Sequence, residues 1–426
     1  MFESLLNAFR APDIRRRLLY VLGILIVFRF LAHVPVPGVN QDALQQYLQS
    51  TPLFSVLDLL SGGGLSSFSV VALGVNPYIN ASIIMQLMTG VIPSLQNLQR
   101  EGEYGRNKIN QYTRYLAVPT ALLQSYGFLA LLNSQGILSS GFDLANGATL
   151  TQIATLTAGS MALMCLGELI TEKGIGNGIS FIIFAGIVSR APSAIGGFIS
   201  TPNPPLLIGF AIIAIVSVAV IIYIQEGQRR IPIQYASRVR GRRMYQGGQT
   251  FLPLRVNQAG VIPIIFAISI LLFPQQIASY FTGSEVGWVA SIANGIVGFF
   301  NVRSIPYVLL YFLLTVGFTY FYTAFTFKPD DTAEQLRKNG GFIPGIRPGR
   351  PTADYLARVV TRITIAGALF LGIVATLPTL LGIVFPALSN IALGGTGLLI
   401  VVSVIVETMK QIEAQLLMRN YEGFIR

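Results

Sequence analysis

Ten apolar runs of roughly 17 to 24 residues follow one another along this chain, and this pattern restricts its fold more than any other feature. A helix needs about 20 apolar residues to cross the ~30 Å hydrocarbon core of a bilayer. Only 11% of the residues are charged, whereas soluble domains carry about 25%. We therefore predict an all-α polytopic membrane protein with ten transmembrane helices. The predicted spans 1 to 10 cover residues 18–34, 69–92, 116–132, 152–170, 179–199, 206–224, 259–281, 305–327, 363–385 and 392–408.

Basic residues between the spans indicate the orientation. All but three of the 29 lysines and arginines precede span 1 or follow an even-numbered span, the exceptions being Arg29, Arg190 and Arg303. The positive-inside rule makes that side cytoplasmic, which places both chain ends in the cytoplasm. The net charge of +11 follows from this topology and from attraction to anionic lipid, so it needs no sequence-specific nucleic-acid partner.

The ten spans divide into two halves, residues 1–200 and 201–426, with five spans each. Because five is an odd number, the second half enters the membrane inverted relative to the first. Inverted repeats place their working site between the two halves. This prediction rests on counting alone, since the sequence shows no clear internal repeat.

The stretch SGGGLSSFSVVALGVNPYINASIIMQ, residues 61–86, interrupts span 2. Three glycines at 62–64 disfavour a helix, since each costs about 1 kcal/mol relative to alanine. We predict a short helix over 65–72, a break at Gly74, Asn76 and Pro77, and a second half-helix over 78–90. Irregular backbone at membrane depth persists only where protein or water satisfies it. The stretch is therefore either a packed re-entrant loop or part of a central pathway.

Span 7 is interrupted as well, by Asn257, Gly260 and Pro263 at its cytoplasmic start. One interpretation is a proline kink relaxed by neighbouring helices. One broken span in each half instead favours a pathway between the halves.

Few groups in the spans suit catalysis or ion transport. Pumps and transporters place acidic groups or histidine at mid-depth, but the acids in these spans, Glu168 and Glu407, lie near cytoplasmic ends. We interpret Arg29 as a lipid-facing anchor. His33 and Cys165 are the only residues of their types. The sequence therefore offers few residues for a zinc site, an internal disulfide or a hydrolytic centre. We predict no enzymatic activity, no cofactor and no metal, and a nucleotide-binding P-loop is missing from the sequence.

Two long basic loops, residues 226–258 and 328–362, follow spans 6 and 8. In the first, residues 231–236 and 250–256 are predicted to pair as a β-hairpin. The second holds the stiff turn GFIPGIRPGRP. The arginines at the tips are Arg238, Arg240, Arg242, Arg243, Arg347 and Arg350. They either face lipid and set the topology, or they dock a large anionic partner.

Specific stretches of the chain resemble the SecY family of protein-translocation channels, in the family's order and over essentially the full length. They include LSGGGLSSFSVVALGVNPYINASIIMQL, EGEYGRNKINQYTRY, GELITEKGIGNGISFIIFAGIV, EGQRRIPIQYA, LPLRVNQAGVIPIIFA, FYTAFTFKP and GFIPGIRPG. The resemblance favours a channel over the two other classes considered, a secondary transporter and an intramembrane enzyme.

The resemblance implies ten helices around a central hourglass pore that is closed by a short plug helix at about 61–73. It implies a passive pore that moves unfolded polypeptides across the membrane and releases transmembrane segments sideways. The implied plug residues are Gly62, Gly63, Gly64, Leu65, Phe68, Val70 and Val71. The implied pore ring is Val75, Ile79, Ile179, Ile183, Ile265 and Ile400, where valine at 75 replaces the expected isoleucine. From sequence alone, the ring positions are equally compatible with ordinary core residues.

The family's lateral gate lies between spans 2 and 3 on one side and spans 7 and 8 on the other. Gln86 and Asn257 match polar gate positions, and we predict a hydrogen bond between them across the closed seam. Each could instead satisfy local backbone beside the helix breaks.

The resemblance also implies partners. These are the SecE and SecG subunits, the SecA ATPase or the ribosome at the two basic loops, signal sequences, the nascent polypeptide and membrane lipid. Arg242, Arg243 and Arg347 match family positions in those loops, while Ser237 stands where a lysine is frequent. The implied location is the inner membrane of a bacterium.

Overall fold

The computed structural model describes residues 11–426 except 51–53, 55–56, 59–60, 140, 144–145, 200–203, 236–237, 241–242, 246–247, 284–285, 303, 385–388 and 426. Every predicted span contains a helix. The helices are α1 Pro12–Leu31, α2 Gln41–Ser50, α3 Asn76–Val91, α4 Pro93–Arg100, α5 Glu103–Ser134, α6 Gly147–Lys173, α7 Gly178–Ile199, α8 Pro204–Glu226, α9 Ile262–Phe281, α10 Gly287–Phe299, α11 Ile305–Thr326, α12 Pro329–Lys338, α13 Arg350–Val384 and α14 Ser389–Ile425.

Spans 1 to 10 are α1, α3, α5, α6, α7, α8, α9, α11, α13 and α14. By length and apolarity alone, five of the described helices can cross a bilayer, or six when α3 and α4 are counted as one span bent by 97°. Helix α3 has only 16 residues. The basic run at 15–17 and Arg29 add charge to α1.

Proline defines the start of several spans. Helices α3, α9 and α11 each have proline in the first turn, where its missing N–H group would have no intrahelical partner. Two starts are also capped by side chains. Asn146 accepts a hydrogen bond from the Ala148 amide at α6, and Ser304 accepts one from the Tyr307 amide at α11.

The predicted helix over 65–72 is wrong. Turns occupy residues 62–75, except for a bridge at Ser69, while Phe54, Leu57, Asp58 and Ser61 before the glycines are helical. Phe68 has a φ of 44° and Gly62, Gly63 and Gly74 also have positive φ, which a right-handed helix excludes. The hydroxyls of Ser66, Ser67 and Ser69 donate to the carbonyls of Gly63 or Gly64. These local bonds compete with a helical ladder.

The two halves meet along two lines. On one side α9 packs against α3 and α5, and on the other α14 packs against α7. One large buried apolar cluster includes residues from α1, α3, α5, α6, α7, α9, α11, α13 and α14. The core of the molecule therefore lies between the halves rather than within either.

The two basic loops form a single sheet. Its strands are β1 Gln228–Tyr235, β4 Gln249–Arg255 and β5 Gly341–Phe342, in the order β4-β1-β5. At the tip of the first loop, β2 Arg238–Arg240 pairs with β3 Arg243–Tyr245 in a separate two-stranded sheet. Ile231 pairs with Leu252, which confirms the predicted hairpin. Strand β5 from the second loop adds to β1 through Gln234 and Phe342. An apolar cluster that includes Ile231, Leu254 and Ile343 fixes both loops to α13.

Candidate functional site

The stretch 58–74, in which 59 and 60 are not described, lies among the helices of the first half and is called the plug segment below. Leu65, Phe68 and Val71 are buried in the central cluster, and Val70 packs against it. A Cβ added to Gly159 of α6 would lie 1.9 Å from the Val70 carbonyl oxygen, and one added to Gly62 would lie 2.7 Å from the Gly186 Cα of α7. The segment therefore touches both helices at backbone distance.

Backbone hydrogen bonds join the plug segment to the end of α1. The Val36 amide donates to the Phe68 carbonyl at 2.8 Å, and the Val70 amide donates to the Val34 carbonyl at 3.0 Å. At its other end, the Ser160 hydroxyl of α6 donates to the Gly74 carbonyl at 3.1 Å.

A charged network holds the start of the plug segment. Arg190 of α7 forms an ion pair with the buried Asp58 and donates to the Ser66 hydroxyl at 2.8 Å. The other Asp58 oxygen accepts the Ser66 amide at 2.8 Å. Burial raises the pKa of Asp58, while the Arg190 guanidinium and the hydrogen bonds from Ser66 act against this rise.

Arg29 does not face lipid, so the interpretation as an anchor is wrong. Its Nη1 donates to the Gly62 carbonyl at 2.7 Å and to the Ser189 hydroxyl at 2.9 Å. A guanidinium with fixed geometry can join an α1 position, the plug segment and α7 at once. A signal for this network is present in the sequence, since Arg29 and Arg190 are two of the three basic residues that depart from the positive-inside rule.

All six predicted ring residues belong to the central apolar cluster or pack against it. Val75, Ile79, Ile183, Ile265 and Ile400 belong to the central apolar cluster, and all are at most 7% exposed. Ile179 is less buried and packs against the same cluster. Its Cδ1 would lie 2.5 Å from a Cβ added to Gly167, so it also leans on α6.

Helices α3 and α9 are in contact at the predicted gate, but the predicted hydrogen bond between Gln86 and Asn257 is not formed. Gln86 Nε2 donates to Ser82 on its own helix at 3.1 Å, and Asn257 Nδ2 donates to the Gly260 carbonyl at 3.1 Å. Both side-chain oxygens are buried without a hydrogen-bond partner among the described residues. Asn257 therefore satisfies local backbone, as the alternative interpretation predicts, whereas Gln86 bonds a side chain of its own helix.

Asn257 lines a cavity of about 120 Å³ beside the start of α9. Side chains from both halves contribute, including Asn177 and Ser180 at the start of α7 and Glu407 and Lys410 on α14. Lys410 forms an ion pair with Glu226 at 3.0 Å.

The predicted docking arginines lie on or beside the joint sheet. Arg347 and Arg350 are exposed on the turn between β5 and α13. The Thr352 hydroxyl donates to the Arg347 carbonyl at 2.8 Å and so fixes this turn. Arg238, Arg240 and Arg243 belong to the β2–β3 hairpin, in which Arg240 pairs with Arg243. Arg242 lies outside the described residues.

Comparisons with known proteins agree with this architecture. The SecY family model matches residues 69–409. The chain belongs to the SecY family. The match covers the ring, the gate positions and both basic loops, while Gly62, Gly63 and Gly64 of the plug segment precede it.

SecY relatives align over their whole length. Two proteins named protein translocase subunit SecY, from Streptomyces scabiei and Mycobacterium tuberculosis, are 44% and 42% identical, with all of both chains covered. A chain from "The structure of a protein conducting channel" has a TM-score of 0.66 at 18% identity, and covers 93% of this chain and 91% of its own. Sec61 in the canine ribosome-channel complex has a TM-score of 0.62 over the same shares at 18% identity. At this identity the likeness supports the fold alone.

Proposed function

We propose that this chain is a protein-conducting channel, which moves unfolded secretory polypeptides across a membrane and releases transmembrane segments sideways into lipid. The observation that carries this proposal is the buried cluster of branched apolar side chains contributed by both halves, with the glycine-rich turns of the plug segment packed beside it. Full-length SecY relatives support the same function.

The six ring residues form the seal in this proposal. Narrow apolar constrictions exclude water and ions by dewetting. Branched aliphatic side chains also make no hydrogen bonds that a passing polypeptide would have to break. The plug segment covers the outer side of the ring.

Sideways release takes place where α9 packs against α3 and α5. Because Gln86 and Asn257 do not bond to each other, the closed seam depends on helix packing rather than on that polar contact. An inserting apolar segment can replace packing of this kind with its own. The gate therefore opens when apolar contacts between the helices are exchanged for similar apolar contacts with the inserting segment.

Energy comes from a partner, because transport by a passive pore needs an external motor. The joint β4-β1-β5 sheet and its exposed Arg347 and Arg350 suit docking of SecA or a ribosome. SecE and SecG are the proposed accessory subunits. The proposed location is a bacterial inner membrane, with both chain ends in the cytoplasm.

A crosslinking scan tests the proposed path. A stalled secretory chain that carries a photoreactive or thiol-reactive group is presented to channels with single cysteines at Ile79, Ile183, Ile265 or Ile400, and with Cys165 replaced. We expect adducts at all four positions. Cysteines at Leu123 and Ile373, which are exposed on the outside of the bundle, serve as controls. Adducts at the controls and none at the ring would refute the path.

Arg347→Glu tests the docking surface. Reversing one charge at an arginine contact of an interface costs enough affinity to lower SecA-driven export about tenfold. The measurement is export of a reporter into proteoliposomes at limiting SecA. Arg106→Glu, at an exposed basic residue in the first turn of α5, is the matched control and should export normally. Normal export by the Arg347 variant would contradict the docking role.

A further inference from the structure

The plug segment is attached to one half of the molecule only. Each hydrogen bond and ion pair that the structure shows for residues 58–74 stays within the segment or reaches α1, the turn after it, α6 or α7. The described residues of the second half, from α8 onward, make none of these polar contacts with it. They contact the region through apolar packing in the central cluster.

The charged part of this attachment is a series of linked contacts. Asp58 bonds Arg190 and the Ser66 amide, Arg190 bonds the Ser66 hydroxyl, and Ser66 in turn donates to the Gly63 carbonyl. Arg29 bonds Gly62 beside it and ties in Ser189, the neighbour of Arg190. Both guanidiniums thus hold the glycine-rich turn against the outer part of α7.

Leaving one charge of a buried pair without its partner is strongly unfavourable, because the remaining charge is desolvated and uncompensated. The segment cannot leave its place without breaking the Asp58–Arg190 pair. By contrast, separation of α9 from α3 and α5 breaks none of these bonds, since all the partners move with the first half.

We propose that Arg29, Arg190 and Asp58 form a charge latch that keeps the plug segment fixed to the first half, so that sideways opening and plug release are separate steps. The proposal rests on the proposed channel function. It predicts a channel that can open its seam toward lipid while its outer side stays sealed. Release of the plug segment needs the latch to break.

The test uses the channel purified with its accessory subunits, in planar bilayers and proteoliposomes. Arg190→Gln and Asp58→Asn should each raise the resting ion conductance on the order of tenfold, because each leaves the other charge unpaired. Insertion of a marginally apolar reporter segment into lipid should stay within about twofold of the original protein, because the seam contacts are unchanged. The combined variant Arg190→Asp with Asp58→Arg should return conductance toward the original level.

Arg114→Gln is the matched control. It breaks the Arg114–Glu168 pair between α5 and α6, whose Nε–Oε1 distance is 2.7 Å, and it does not touch the plug segment. Its resting conductance should be unchanged. Thermal unfolding of each variant shows whether it folds. Ser66→Ala removes only one hydrogen bond to Arg190 and gives a milder second test, in which we expect a smaller rise in resting conductance.

Two results would overturn the latch. One is that the folded variants Arg190→Gln, Asp58→Asn and Ser66→Ala have the same resting conductance as the original protein. The other is insertion that rises in step with conductance, which would mean that the network holds the seam as well as the plug. Failure of the channel function itself looks different, since the original protein would then transport no reporter polypeptide while the variants still differed in ion conductance.

Discussion

Channels that carry asparagine at both Ile79 and Ile183 will conduct ions at rest. The two residues lie on α3 and α7, and both belong to the central apolar cluster at 4% and 0% exposure. Replacing two of six branched aliphatic groups with hydrated amides lets water fill the constriction, so we expect resting conductance to rise at least about tenfold. Single-channel recording in planar bilayers measures it.

The matched control for this experiment is valine at the same two positions. Valine already occupies position 75 of the proposed ring, and the exchange from isoleucine typically costs only about 0.5–1.5 kcal/mol in a core. These channels should remain closed. Equal conductance of the asparagine and valine variants would show that the seal lies elsewhere.

Gly159→Ala will damage closure although it changes only one methyl group. The added Cβ would lie 1.9 Å from the Val70 carbonyl oxygen and 2.8 Å from the Val70 Cγ1, so α6 and the plug segment must move apart. Overpacking of this kind costs about 1–3 kcal/mol, which outweighs the gain of about 1 kcal/mol that alanine brings to a helix interior. We expect a lower unfolding temperature and a raised resting conductance.

Gly147→Ala, on the same helix, is the control, because an added Cβ there meets nothing within 4 Å. It should leave unfolding temperature and conductance unchanged or slightly improve stability. An unfolding temperature of Gly159→Ala at or above that of the original protein, with a closed channel, would contradict the close packing of Val70 on α6.

The sequence predicted the spans well because apolar length is a strong and local signal. The hairpin formed by residues 228–255 was equally predictable from the sequence, since alternating and β-branched residues flank a glycine-bearing tip. The addition of Gly341–Phe342 as a third strand was not predicted. Strand addition over more than 100 residues is non-local, and a two-residue strand has no sequence pattern of its own.

Two errors have one physical origin. Both predictions, the helix over 65–72 and the lipid-facing Arg29, were based on the properties of single residues and their neighbours in the sequence. In the structure, serine hydroxyls and a distant guanidinium satisfy the turn backbone instead. Partners 33 positions apart, such as Arg29 and Gly62, are invisible to local rules.

The pairing of Gln86 with Asn257 failed for a related reason. Motif matching placed both residues on adjacent helices, and α3 and α9 do pack together. It could not show that each amide has a nearer partner, Ser82 in one case and Gly260 in the other. Proximity of helices is thus easier to predict than the partner of a given side chain.

The joint sheet of the two basic loops has a mechanical consequence. Its strands are flanked in the chain by α8, α9, α12 and α13, all of them in the second half. A load applied to the sheet therefore enters the second half first and reaches the first half through the contacts between the halves, α9 with α3 and α5, and α14 with α7. The bonds that hold Asp58 lie within the first half and carry none of this load directly.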